Sequence, residues 1–290
     1  MAGIKIVTDS TSDISLAEAH ELGIEIIPTL LQIDDQVLRA GFDINSDQFY
    51  EYLEDDRHSV STVPPTTQPF EHVFRRLSLE YDHVFSIHMS GRVNGAYHAA
   101  QQARIKLPPS AARIEIIDSK LASMALGLVV THAARAVKAG ATVSQMSDLI
   151  SRLVQSCHLV FFVDTIEYLE KSGRLGLATS VLGSMQRIKP LMLLDDGEIV
   201  PYERTRTRAK AIEGLYTFVE DFPHVEEVVA LYATTPEDIE KLLEKLEPIF
   251  PREKVQIAQF TPSMGAYLGP GAMGVAVFEG VSAHLLAGRG

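Results

Sequence analysis

Short β-branched and aliphatic runs alternate with stretches of helical period through the first half of the chain. Ile4–Thr8, Ile24–Ile27, Val84–Met89 and Arg113–Asp118 read as strands. Helices are predicted at a segment capped near Ser12 or Ser15, and at Phe70–Leu79, Asn94–Lys106 and Leu121–Lys138. After the Ala139-Gly140 break, Val143–Ser156 reads as another. This βαβ order predicts an open parallel sheet with helices on both faces, a Rossmann-like arrangement. From Leu159 the pattern changes. Leu159–Val163, Pro190–Leu194 and Ile199–Arg206 read as strands, and the last two enclose an Asp195-Asp196-Gly197 turn, a hairpin signal. Helices over Arg208–Asp221 and Pro236–Leu246 then alternate with strands Glu227–Tyr232, Lys254–Phe260 and Gly274–Phe278. The expectation is an α/β chain of two domains. Residues 1–160 form a parallel-sheet domain, and residues 161–290 an α+β domain with a mixed or antiparallel sheet. No Pro/Gly/Ser-rich linker marks the boundary, and there is no internal repeat.

With 290 residues, 46% of them hydrophobic, the chain is long enough to bury cores for two such domains. The formal net charge of -12 repels phosphate backbones and argues against a general nucleic-acid partner. The opening MAGIKIVTDS is strand-like and lacks the pattern of a secretory signal, so a cytoplasmic location is expected. The longest apolar stretch, Leu121–Ala136, is interrupted by Ser123, Thr131, His132 and Arg135; it reads as a buried helix, not a transmembrane span. The single cysteine, Cys157, precedes an apolar run and reads as a small core residue.

The common enzyme signatures are missing: no phosphate loop ending in Gly-Lys, no G-x-S-x-G, no S-x-x-K and no H-E-x-x-H. His83 and His88 fall on opposite faces of one strand. Gly269, Gly271 and Gly274 spell G-x-G-x-x-G, but a strand follows where a dinucleotide fingerprint needs a helix. The run Thr8–Asp13 sits at the carboxyl end of the first strand, where α/β sheets hold ligands. A metal-dependent phosphotransferase or hydrolase using Asp9, Asp13 and Asp118 is therefore the rival reading. Thr11 stands where a phosphotransfer aspartate would want its second carboxylate, and a turn plus helix cap is the simpler account. Two segments are suited to an anion without a metal. Ser90-Gly91 ends a strand and Asn94-Gly95 opens a helix, so backbone N–H groups and a positive helix end converge there. In Val63-Pro64-Pro65-Thr66-Thr67-Gln68-Pro69, two hydroxyls are held between prolines that restrict the backbone.

These segments together resemble the DegV family, whose better understood members are fatty-acid-binding subunits of bacterial fatty acid kinase. The resemblance runs nearly end to end. It rests on Ile6–Asp13, Thr66–Pro69, Ser90–Tyr97, Ile117–Lys120, Tyr168-Leu169 with Gly173–Gly176, Lys189-Pro190, Asp196-Gly197, Arg204–Arg206 and Gly269–Gly274. It implies that a fatty acid carboxylate is hydrogen-bonded by Thr66 or Thr67, by Asn94 and by Tyr267, beside Ser90 and Gly95. Asn94 stands where the family usually has serine and Tyr267 where it has histidine; both can donate. The resemblance further implies a carrier with no cofactor, metal or catalytic residue of its own, whose partner is a cytosolic ATP-dependent acyl kinase docked at Arg174 and Arg204. Leu121–Val130 and Leu175–Met185 are candidate tunnel walls, or ordinary core.

Overall fold

The computed structural model describes residues 3–109, 111–174 and 188–281. A four-stranded sheet of order β2-β1-β6-β7 is built from β1 (Ile4–Asp9), β2 (Glu25–Ile27), β6 (His83–His88) and β7 (Arg113–Asp118). All its pairs are parallel, as the βαβ pattern requires. Every residue of β6 is buried, the mark of a strand covered on both faces. Helices α3 (Thr67–Leu77) and α4 (Ala96–Ile105) lie on one face, joining Phe70, Phe74 and Ala100 to Val7 and Val84 in one apolar cluster. Helix α1 (Leu16–Leu22) is capped by Ser15, whose hydroxyl accepts from the Glu18 amide at 3.1 Å.

A six-stranded sheet follows in the order β10-β9-β8-β13-β11-β12. Its members are β8 (Cys157–Phe162), β9 (Lys189–Asp195), β10 (Glu198–Thr205), β11 (Glu227–Tyr232), β12 (Gln256–Gln259) and β13 (Met273–Phe278). Only β11 and β12 pair in parallel, so the sheet is mixed. The Asp196-Gly197 hairpin joins β9 to β10 as the turn chemistry predicts. The strand expected from Lys254 is shorter: Arg252–Lys254 form a 3-10 turn and pairing begins at Gln256.

A third sheet, not foreseen from the sequence, has the order β4-β3-β5 over β3 (Leu30–Ile33), β4 (Gln36–Arg39) and β5 (Val60–Val63). Each strand is four residues long and β4 is mostly exposed, so no alternating run marks it. Helix α2 (Ser46–Glu54) lies between β4 and β5 in the chain and packs against α10 (Pro262–Leu268). The third sheet matters because β5 delivers the chain directly into Pro64-Pro65-Thr66.

Helix α5 (Ser123–Lys138) lies between the two large sheets, touching β1 on one side and β8 and β13 on the other. It is buried without a break from Ser123 to Thr131, because both sides are covered. Leu121–Val130 is thus packed core; Leu175–Met185 falls outside the described residues. Gly127 lets α5 approach the Ser10–Ser12 turn, since a Cβ there would lie 2.6 Å from the Ser12 carbonyl oxygen. Helix α6 (Val143–Ser156) runs into Cys157, which is buried; burial pushes its thiol pKa up, and it behaves as a core residue. Among the described residues the remaining helices are α7 (Glu167–Lys171), α8 (Arg208–Glu220) and α9 (Pro236–Leu246). Among the described residues, no helix is long and apolar enough to cross a membrane.

Candidate functional site

The parallel sheet delivers its loops to the N-terminus of α4. After β6 the chain turns at Ser90, whose carbonyl accepts from the amides of Val93 and Asn94, and α4 begins at Ala96. Asn94 is buried and its Oδ1 accepts from the Ala96 amide at 2.8 Å, which fixes the side-chain amide plane. Its Nδ2 therefore donates, and the acceptor is the Tyr267 hydroxyl of α10 at 2.8 Å. Tyr267 is itself buried, and its hydroxyl hydrogen is left to donate to something other than Asn94.

The proline-flanked loop closes on the same helix end. A Cβ at Gly95 would sit 3.6 Å from Pro65 Cδ, so α4 and this loop are in contact. The two threonines diverge. Thr67 Oγ1 accepts from Lys106 Nζ at 3.1 Å, and the residue is half-buried. Thr66, the N-cap position of α3, is exposed, makes no side-chain capping bond and lines a cavity of about 20 Å³ with Asp9, Pro65, Phe70 and Ala96. That volume holds about one water molecule. Ser90 is placed otherwise: its hydroxyl donates to the Gly197 carbonyl at 2.6 Å and accepts from the Arg92 amide at 3.2 Å. It ties the first sheet to the β9–β10 hairpin. Only a glycine fits at position 197, where φ is 83° and a Cβ would lie 2.5 Å from the Ser90 hydroxyl.

The three carboxylates of the rival reading do not assemble. Asp118 Oδ1 accepts from the amides of Gly91 at 3.2 Å and Lys120 at 2.9 Å. Asp13 accepts from Ser123 Oγ at 2.5 Å, and from the Thr261 amide at 3.1 Å and hydroxyl at 2.5 Å. Burial without a cation pushes Asp13 up to about 7 against those bonds. Asp9 caps the Ser10–Ser12 turn through the Thr11 amide and hydroxyl, and its other oxygen meets His88 Nδ1 at 2.8 Å. Burial opposes Asp9's charge, but the bonds from His88 and Thr11 outweigh it and hold the carboxyl below its ordinary range. Among the described residues, no three acidic, histidine or cysteine side chains cluster to hold a metal.

This frame, a parallel sheet whose loops meet at one helix tip and a mixed sheet clamped to it through Ser90, has known counterparts. Residues 3–280 match the family model described as "Uncharacterised protein, DegV family". The chain belongs to the DegV family. A DegV domain-containing protein of Halalkalibacterium halodurans is 31% identical over 281 residues, spanning 95% of this chain and 98% of that one. Two solved structures superpose with a TM-score of 0.86 at 26% identity, each covering 96% of this chain. One reports fatty acid binding of a DegV family protein from Thermus thermophilus, covered over 99% of its length. The other is DegV of Bacillus subtilis, described as a fatty acid binding protein and covered over 100%.

One feature of this DegV chain escaped the sequence reading. His88 Nε2 meets Ser86 Oγ at 2.7 Å, so Asp9, His88 and Ser86 form a line with the connectivity of a hydrolase triad. Ser86 and His88 are wholly buried, which denies any substrate access to the hydroxyl; the line is a satisfied core network. The signal was available, since Ser86 and His88 share one strand face and Asp9 ends the neighbouring strand. Arg174, expected with Arg204 at a docking surface, lies beside Tyr267. Its guanidinium carbon lies 5.8 Å from the centroid of the Tyr267 ring, while Arg204 stands exposed on edge strand β10. The two arginines face different surroundings. A larger cavity of about 550 Å³ between α6 and Asp118–Leu121 touches none of Thr66, Asn94 or Tyr267.

Proposed function

We propose that this DegV chain binds a long-chain fatty acid and holds its carboxylate at the N-terminus of α4 with Tyr267, Asn94 and Thr66. The observation that carries the reading is the Asn94–Tyr267 bond. With Asn94 donating, the phenol keeps one hydrogen for an acceptor, and a carboxylate only accepts. The positive end of α4, of which Asn94 Oδ1 takes the Ala96 amide, adds to this. Fatty acid binding by DegV proteins from Thermus thermophilus and Bacillus subtilis supports the ligand class. Affinity comes mainly from the tail, at about 0.8 kcal/mol per buried CH2. A cavity of about 20 Å³ admits no acyl chain, so loading requires the loop at Thr66 to part from α4. Residues 1–160 and 161–290 are read as the two domains that enclose the acid.

The further step proposed is presentation of the bound carboxylate to an ATP-dependent acyl kinase, with Arg204 as a docking cation and no catalytic residue supplied by the carrier. Mass spectrometry of organic extracts of the purified protein tests the ligand, with co-purified long-chain acids expected. The site is tested by replacing Thr66 and Asn94 together with alanine. This should weaken a fatty acid far more than the matching alcohol, and equal losses for both would put the head group elsewhere.

A further inference from the structure

A cavity of about 450 Å³ shares no residue with the one at Thr66. Leu16, Phe42 and Ile257 line it and stay 47%, 41% and 53% exposed. Single exposed apolar side chains are ordinary, but three around one concavity, from α1, the β4–α2 connection and β12, form a recognition surface. Phe42 is held at the rim by its own loop. The Arg39 guanidinium lies 5.9 Å from the Phe42 ring centroid and pairs with Asp43 at 2.7 Å, while the Gly41 amide, at φ 79°, bonds the Ile44 carbonyl at 3.0 Å. All four residues of β12 line the same cavity, although successive side chains leave opposite faces of a sheet, so the cavity runs along the strand's open edge. The Phe260 amide bonds the Tyr232 carbonyl at 2.8 Å, next to the parallel β11–β12 ladder. In that ladder the amides and carbonyls of Ile257 and Gln259 therefore point away from β11, to a side where β12 has no neighbour. Two acids, Asp13 and Glu18, line the cavity, and no lysine, arginine or histidine does. Asp13 is bonded by the Ser123 and Thr261 hydroxyls and the Thr261 amide, with no cation beside it among the described residues.

We propose that this cavity docks an extended segment of a partner protein, which adds to β12 as a seventh strand of the mixed sheet, seats apolar side chains among Leu16, Phe42 and Ile257, and turns a lysine or arginine towards Asp13. Main-chain bonds to Ile257 and Gln259 give such a strand its affinity, and the side chains at alternate positions give it its specificity. Charge decides against a second copy of this chain as the occupant. Each copy carries a net charge of -12, and the cavity asks for a cation. The inference is independent of the fatty-acid reading, since no residue of the head-group site takes part in it.

The test titrates the full-length protein at pH 8 into a fluorescein-labelled hexapeptide of alternating lysine and valine, read by anisotropy, with hydrogen exchange resolved by residue. Binding should be saturable and should slow exchange at the Ile257 and Gln259 amides. Phe42→Ser and Ile257→Ser, whose side chains are already exposed, should keep the wild-type melting temperature and weaken the peptide about tenfold each. A glutamate–valine peptide, and the lysine–valine peptide N-methylated at alternate residues so that it cannot extend the ladder, should bind at least about tenfold more weakly. Absence of binding by the wild type would overturn the proposal, as would unchanged exchange at Ile257 and Gln259 or equal affinity for the N-methylated peptide. Self-association of the wild type that Ile257→Ser abolishes would give the groove to a second copy instead. Phosphatidylcholine vesicles that capture the wild type but not Phe42→Ser would give it to a lipid surface, and either result would overturn the peptide assignment.

Discussion

Replacing Tyr267 by phenylalanine deletes one oxygen and tests the central bond of the site. The ring, its packing and the stacked Arg174 guanidinium stay, while Asn94 Nδ2 loses the acceptor it meets at 2.8 Å. Asn94 cannot turn to find another, because its Oδ1 is held by the Ala96 amide, so a buried donor is left aimed at the vacated position. An unsatisfied buried group costs about 1–3 kcal/mol, which should lower the melting temperature of the unliganded protein by several degrees. The ligand loses a hydrogen bond to a charged acceptor, about 1.5–3 kcal/mol, or roughly 10- to 100-fold in fatty acid affinity. Competition against a fluorescent acyl probe reads the affinity and urea unfolding reads the stability. If Tyr267→Phe binds palmitate within twofold of wild type, the phenol does not touch the carboxylate and the assignment of the site fails.

Two further outcomes concern the frame. Asp13 titrates near 7 in the folded protein against 3.8 when unfolded, so between those values the native state holds a proton that the unfolded chain has released. Its contribution to stability is therefore full below about pH 4 and declines as pH rises to about 7, by on the order of 4 kcal/mol. The stability of wild type relative to Asp13→Asn, from urea melts at pH 4–8, should fall across that window; a flat difference would mean that Asp13 is solvated. Gly127→Ala should destabilise by about 1–3 kcal/mol, although alanine favours helices, because its methyl would meet the Ser12 carbonyl at 2.6 Å. A variant that melts at or above the wild-type temperature would show that α5 has room to shift.

The sequence by itself determined element type and the order of the main layers. β-branched runs alternating with helical period set the parallel sheet, the Asp196-Gly197 turn set the β9–β10 hairpin, and the small apolar residues from Ser123 to Thr131 set a helix buried on all sides. These signals are local, carried by residues within a turn or a strand of one another. The short antiparallel sheet β4-β3-β5 was hidden because four-residue strands are too short to show a period, and β4 is mostly exposed. The site divided along the same line. Motif resemblance named Thr66, Thr67, Asn94 and Tyr267, but only packing paired Thr67 with Lys106, spent the Ser90 hydroxyl on Gly197 and brought Tyr267 onto Asn94 from a helix near the other end of the chain. A hydrogen bond between groups so far apart in sequence depends on how α10 packs against α2, α7 and β5. The arrangement is fixed by the total shape of the core and by no pattern within either segment.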